Sequence, residues 1–255
     1  MILKSKDRYL RGTYLLIAYI CLLAFMLIAD GPLASYVPAS KWFSLSLLIF
    51  FFYINTAIDS KFEKNIFYGI SLFTLSSLLP LAESVVGVYT NYIILGLWII
   101  AYFSYTRALI SITSGSSSIL FQNKWIAAIL FIFGLLGLYF ILMVGSGGIG
   151  DKVGLMCLGL ASILYFMATI NLWAQLSSFL YGLYIVAAIL LIGFNCIAEL
   201  NFRTNISIFE ESSSVLFYLG HLLIIFAAVK SSLSFRNNDF TDIANVLIKN
   251  KNSIK

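Results

Sequence analysis

Few residues in this chain have the means to do chemistry, and the ones that do point to proton transfer. Glu83 and Glu199 are carboxylates set near the ends of long apolar runs, and His221 is the only histidine. A carboxyl group in an apolar setting holds its proton more tightly than one in water, so two such groups can divide the roles of acid and base. A histidine titrates near neutral pH and suits a proton shuttle. Asn55, Tyr102, Tyr105, Asn171, Asn195 and Tyr218 are further polar side chains within apolar stretches. Polar groups in hydrocarbon are costly, so intramembrane examples mark sites. Each also has a plainer reading. A glutamate at a helix end can reach interfacial water, a membrane histidine can bond a neighbouring helix, and a tyrosine at mid-depth can simply pack. Arg107 has a stem long enough to snorkel to the surface.

The spacing of these residues is regular. An offset of 116 carries Asn55 onto Asn171, Ala82-Glu83 onto Ala198-Glu199, Tyr102 onto Tyr218 and Tyr105 onto His221 without a gap. The same offset superposes the first four apolar runs on the last four, which predicts a duplication of 9–113 in 125–233. An even number of spans per unit leaves both units with the same orientation, so the predicted pseudo-twofold axis lies along the membrane normal.

The elements that must hold these residues are transmembrane helices. Of the 255 residues, 61% are hydrophobic and 11% charged, with a mean hydropathy of +0.97. A soluble domain carries roughly 25% charge, so the solvent here is largely lipid and the expected fold is all-α. A span needs about 20 apolar residues. Eight runs meet or approach that length: 13–29, 42–58, 65–88, 91–113, 125–144, 152–174, 178–200 and 212–233. They are continuously apolar, unlike the alternating strands of a barrel. One transmembrane domain over 1–233 and a tail over 234–255 follow.

Of the sixteen Lys and Arg residues, only Lys41, Lys152 and Arg203 fall outside when the N-terminus is placed inside. The positive-inside rule therefore predicts cytoplasmic termini in the plasma membrane, the inner membrane if the source is bacterial. The first run follows Lys4, Lys6, Arg8 and Arg11 but ends in Asp30-Gly31-Pro32, a turn, and is read as an uncleaved span. In the tail, Phe240, Ile243, Val246 and Leu247 share a helical face, as in a short amphipathic helix on the inner surface. The net charge of +5 then reflects topology and anionic lipid, and no nucleic-acid partner is expected.

With this topology Glu83 and Glu199 lie at the outer ends of the third and seventh spans. Tyr102 and His221 lie near mid-depth, and Asn195 is one turn below Glu199 on the same face. The expectation is a polar cavity open to the outside, lined by the third, fourth, seventh and eighth spans. Cys21, Cys157 and Cys196 have no metal-ligand spacing and read as small apolar residues. Gly145-Ser146-Gly147-Gly148-Ile149-Gly150 matches a dinucleotide-binding spacing but joins two spans, outside any βαβ unit.

Leu190 to Ile224, LLIGFNCIAELNFRTNISIFEESSSVLFYLGHLLI, resembles the C-terminal part of the YhhN family of membrane lysoplasmalogenases. Phe217-Tyr218-Leu219-Gly220-His221 carries the best local likeness. Leu160–Gln175 resembles the family's sixth helix and Ile94–Tyr105 its fourth, and Lys41 stands where the family has a lysine. The chain departs from the family in having Ala82-Glu83 for Gly-Asp, Tyr102 for a histidine, and no proline after Lys41. The resemblance implies eight helices and hydrolysis of the vinyl ether of a lysoplasmalogen to a fatty aldehyde and a glycerophospho-head group, with no metal or organic cofactor. It implies Glu83 and Glu199 as acid and base, assisted by His221 and Tyr105. Asn55, Tyr102, Asn171, Asn195 and Tyr218 would bind or orient substrate, and Lys41 and Arg203 would meet its phosphate. Two rival expectations are a lipid-handling protein or transporter without chemistry, and a catalytically degenerate relative with a structural role.

Overall fold

The computed structural model describes residues 5–28, 36–82, 87–113, 149–204 and 207–252, with six isolated helical residues between 125 and 135. Among them there are seven long α-helices and no strand: α1 Ser5–Ile28, α2 Val37–Asn55, α3 Lys61–Leu78, α4 Thr90–Thr113, α5 Ile149–Ile170, α6 Ser178–Thr204 and α7 Ser207–Asn252. Among the described residues, five segments are long and apolar enough to cross a membrane: Val37–Asn55, Thr90–Thr113, Lys152–Trp173, Ser178–Ile197 and Ser213–Phe235. This is an integral membrane protein of the multi-pass α-helical kind. The apolar part of α1, Gly12–Ile28, is shorter, and α3 begins with Lys61, Glu63 and Lys64. Of the predicted run 125–144, only the six isolated helical residues are described.

Helix ends follow local chemistry more closely than the apolar runs do. Proline in the first turn lets α2 start at Val37, ahead of the run. Asn55 Nδ2 and Thr56 Oγ1 donate back to Phe51 O and Phe52 O at 2.7 and 2.8 Å, closing the other end. Ser60 caps α3 in a reciprocal box: Glu63 N donates to Ser60 Oγ at 3.1 Å and Ser60 N to Glu63 Oε2 at 3.2 Å. The run 65–88 breaks at Leu78 because Pro80 cannot continue an α-helix, and the chain tightens to a 3₁₀ turn over Leu79–Ala82. The tail is no separate helix. Its backbone continues α7 to Asn252, since no proline follows Ser207 and no glycine follows Gly220. At 1.5 Å per residue α7 is about 70 Å long, more than twice the ~30 Å hydrocarbon thickness, so its second half leaves the membrane.

Outward faces are apolar: Phe43, Phe50, Ile100, Phe103 and Ile189 are all exposed, as lipid-facing residues should be. Inward faces meet through small residues, which let helices approach closely. A Cβ on Gly220 of α7 would lie 2.7 Å from Leu191 of α6, and one on Gly69 of α3 would lie 2.4 Å from the ring of Tyr105 of α4. The pairs α3–α4 and α6–α7 are the most extensive in the bundle. Gly69→Ala is expected to lower stability by about 1–3 kcal/mol, since the Tyr105 ring is wedged and cannot retreat. Gly96→Ala, whose Cβ meets nothing within 4 Å, should leave it unchanged or slightly raised; unfolding of both variants in mixed micelles checks this.

Candidate functional site

Three polar regions are stacked along the bundle. At the end where α2 begins and α3 finishes there is a cleft of about 330 Å³, bordered by α2, α3, α4, α6 and α7. Its floor is aromatic: Trp98, Phe194 and Phe217 pack with ring centroids 4.7 to 6.0 Å apart. Trp98 Nε1 donates to Ser76 Oγ at 2.8 Å and ties α4 to α3 there. Lys41, half-buried, lies on the wall with Pro80 and Tyr218. Tyr218 is fixed from behind, where its carbonyl accepts from the Tyr19 hydroxyl of α1 at 2.7 Å. Among the described lining residues the floor is thus apolar, and Lys41 with Ser76, Ser77, Ser213 and Ser214 makes the rest of the wall partly polar.

Beneath the floor lies a sealed core. Phe73 is its hub, with ring centroids 4.4 Å from His221, 5.5 Å from Tyr102, 5.6 Å from Phe217 and 5.8 Å from Tyr105. Phe217 also stacks on His221 at 4.3 Å, so two rings separate the histidine from the cleft. His221 Nδ1 is 2.8 Å from Phe217 O. A carbonyl can only accept, so Nδ1 carries the proton and Nε2 is a free acceptor in the neutral ring. Asn195 of α6 donates to the Tyr102 hydroxyl of α4 at 3.0 Å and to Ser162 Oγ of α5 at 2.9 Å. One amide thus joins three helices.

The third region is at the opposite end. There a pocket of about 540 Å³ is lined by Asp59, Ser60, Glu63, Ser111 and Ser232, among others. Glu63 is buried, with Oε2 accepting from the backbone of Asp59 and Ser60 and Oε1 from the Ser232 hydroxyl of α7.

The structure thus separates the sequence-predicted residues. Lys41 and Tyr218 border the cleft, whereas His221, Tyr102 and Tyr105 are buried below it and Asn195 joins them. Asn55 closes α2 at the far end and Asn171 opens the 3₁₀ turn after α5, so both lie away from the cleft. Arg107 is exposed. Glu83 lies outside the described residues, as do the side chains of Glu199 and Arg203. Sequence reading missed Glu63 because Asp59 to Lys64 looks like a polar break between spans. The signal that could have found it is the Ser60-x-x-Glu63 capping spacing.

Fold and site together define a multi-pass α-helical membrane protein with an aromatic-floored cleft at one end and a buried carboxylate at the other. No protein-family model matches the chain, and no curated protein or solved structure does either. The residues themselves therefore carry the functional argument.

Asn195→Ala and Tyr102→Phe should each destabilise the bundle. A double-mutant cycle between them should show coupling of about 0.6 kcal/mol, and no more than ~1.7, as for other interhelical hydrogen bonds in membranes. Unfolding in mixed micelles measures it.

Proposed function

We propose that this is an eight-span membrane protein that takes a single-chain lysophospholipid into the cleft and hydrolyses its vinyl ether bond. The observation that carries the reading is the cleft itself, with an aromatic floor and Lys41 on its wall. The two glutamates enter this reading from the sequence, where each interrupts an apolar run. In this reading one carboxylic acid protonates the alkene carbon and the other carboxylate assists attack of water. The resulting hemiacetal then breaks down to a fatty aldehyde and a glycerophospho-head group. Lys41, with Arg203, contacts the phosphate, and the resemblance to the YhhN family supplies the reaction type.

The proposed topology places both termini in the cytoplasm and the cleft outside, on the distribution of Lys and Arg. In the proposed 4+4 repeat α2, α3 and α4 correspond to α5, α6 and α7. Equivalent helices having equivalent neighbours supports it: α3 lies along α4 as α6 lies along α7, and α4 meets α5 as α7 meets α2.

A second reading, lipid handling without chemistry, is favoured by one specific observation: His221 and Tyr105 are shut away from the cleft by Phe73 and Phe217. One assay separates the two. Purified protein incubated with a lysoplasmenyl-ethanolamine is expected to release aldehyde, followed by mass spectrometry. Glu83→Gln and Glu199→Gln should each lower the rate by at least about a hundredfold, and Lys41→Ala should raise KM with little change in kcat. Saturable lysolipid binding with no aldehyde release would establish the second reading instead, and unchanged rates in both Gln variants would remove the glutamates from the mechanism.

A further inference from the structure

Among the described residues, six polar side-chain atoms of the core are buried without a hydrogen bond of good geometry: Tyr105 Oη, Tyr165 Oη, Tyr184 Oη, Asn195 Oδ1, His221 Nε2 and Ser231 Oγ. Tyr165 and Tyr184 have the hydroxyls of Thr169 and Ser231 close by. A buried polar atom left unpaired is expensive, and proteins usually meet that cost with internal water. Nor are the six scattered. Tyr105 packs against His221 at 6.1 Å and against Tyr165 at 5.9 Å. The Tyr184 hydroxyl of α6 stands near Tyr165 on one side and near the Ser231 hydroxyl of α7 on the other. Ser231 is followed by Ser232, whose hydroxyl donates to Glu63. From His221 to Ser231 is ten residues of one helix, about 15 Å of rise. Five of these atoms thus follow one another through the hydrocarbon region, from beneath the cleft floor to Ser231, the residue before Ser232 of the Glu63 pocket.

We propose that a chain of internal water occupies this line and that protons pass along it between the Glu63 pocket and Nε2 of His221. Hydroxyl groups and water each donate and accept, so every link can hand on one proton as it receives another. At the inner end the Glu63 carboxylate faces Ser232 from α7 and the backbone N–H groups of Asp59 and Ser60, with Asp59 and Lys61 on the pocket wall. At the other end His221 faces Phe73 of α3, Tyr105 of α4 and Phe217 of its own helix. Tyr105 is the titratable group among those rings. The lone pair on Nε2 is the open position, because Nδ1–H is committed to the Phe217 carbonyl. A proton arriving at Nε2 makes the imidazolium, and the same proton leaves by the same route. Phe73 and Phe217 close the path toward the cleft. This inference does not depend on the proposed hydrolysis, since it concerns groups the cleft does not reach.

The chain has a single histidine, so ¹⁵N-histidine labelling reports on that ring alone. In bilayers, solid-state NMR of the labelled full-length protein is expected to show the Nδ1-protonated ring at neutral pH, with magnetisation reaching Nε2 from water. Tyr105→Phe, which breaks the first link, should reduce that transfer severalfold. Glu63→Gln, which preserves the cap and the Ser232 contact, should slow hydrogen exchange at the ring. Thermal stability provides a second reading with opposite signs. If the Tyr105 hydroxyl belongs to a hydrogen-bonded water chain, Tyr105→Phe lowers Tm; if it is dry and unpaired, the substitution raises it. A ring that receives no magnetisation from water, or a raised Tm in Tyr105→Phe, overturns the proposal.

Discussion

The packing of Phe73 is the contact on which the rest of the bundle depends. Lipid tails solvate apolar side chains as well as a protein interior does, so helices in a membrane associate through close fit and through polar groups that have nowhere else to bond. Phe73 provides the fit at the middle of the bundle, touching rings from α4 and α7 at once. It also wedges Tyr105 against Gly69, which sets how closely α3 and α4 approach. With the rings held there, Asn195 can reach Tyr102 and Ser162 together and draw α6 toward α4 and α5.

That same contact divides the molecule into two compartments. Above it are the aromatic floor, Lys41 and the cleft. Below it are the buried hydroxyl groups of Tyr105, Tyr165, Tyr184 and Ser231. Of the two rings covering His221, Phe217 belongs to both: it is a floor residue of the cleft and a lid on the histidine. Any process that couples the cleft to the core must therefore move Phe73 or Phe217. Because Phe217 Cα and the carbonyl that holds His221 Nδ1 belong to one residue, a shift of α7 would displace floor and histidine together.

Glu63 and the two glutamates singled out by spacing make an instructive contrast. Glu83 and Glu199 stand out in sequence because each interrupts a hydrophobic run. Glu63 does not, because Asp59, Lys61 and Lys64 surround it and the segment reads as solvated. Its burial comes from α7, which brings Ser232 across from 169 residues away. Asn55 shows the reverse. It is conspicuous inside an apolar run, yet it spends its amide on the carbonyl of its own Phe51 at the end of α2.

What the sequence determined by itself is the solvent and the class. An apolar majority with so few charges leaves lipid as the only medium, and in lipid the backbone must satisfy its own hydrogen bonds, so helices follow. It also carries the two ends of α3, the start at the Ser60-x-x-Glu63 box and the stop before Pro80, since each acts within one turn, although the apolar run 65–88 begins after the one and passes over the other. Tertiary structure alone decided which polar residues meet. Asn195 beside Tyr102, Glu63 beside Ser232 and His221 behind two phenylalanines all depend on the rotation of each helix about its axis. That rotation is settled by how side chains from several helices fit at once, and an almost uniformly apolar helix carries too little periodic contrast to reveal it.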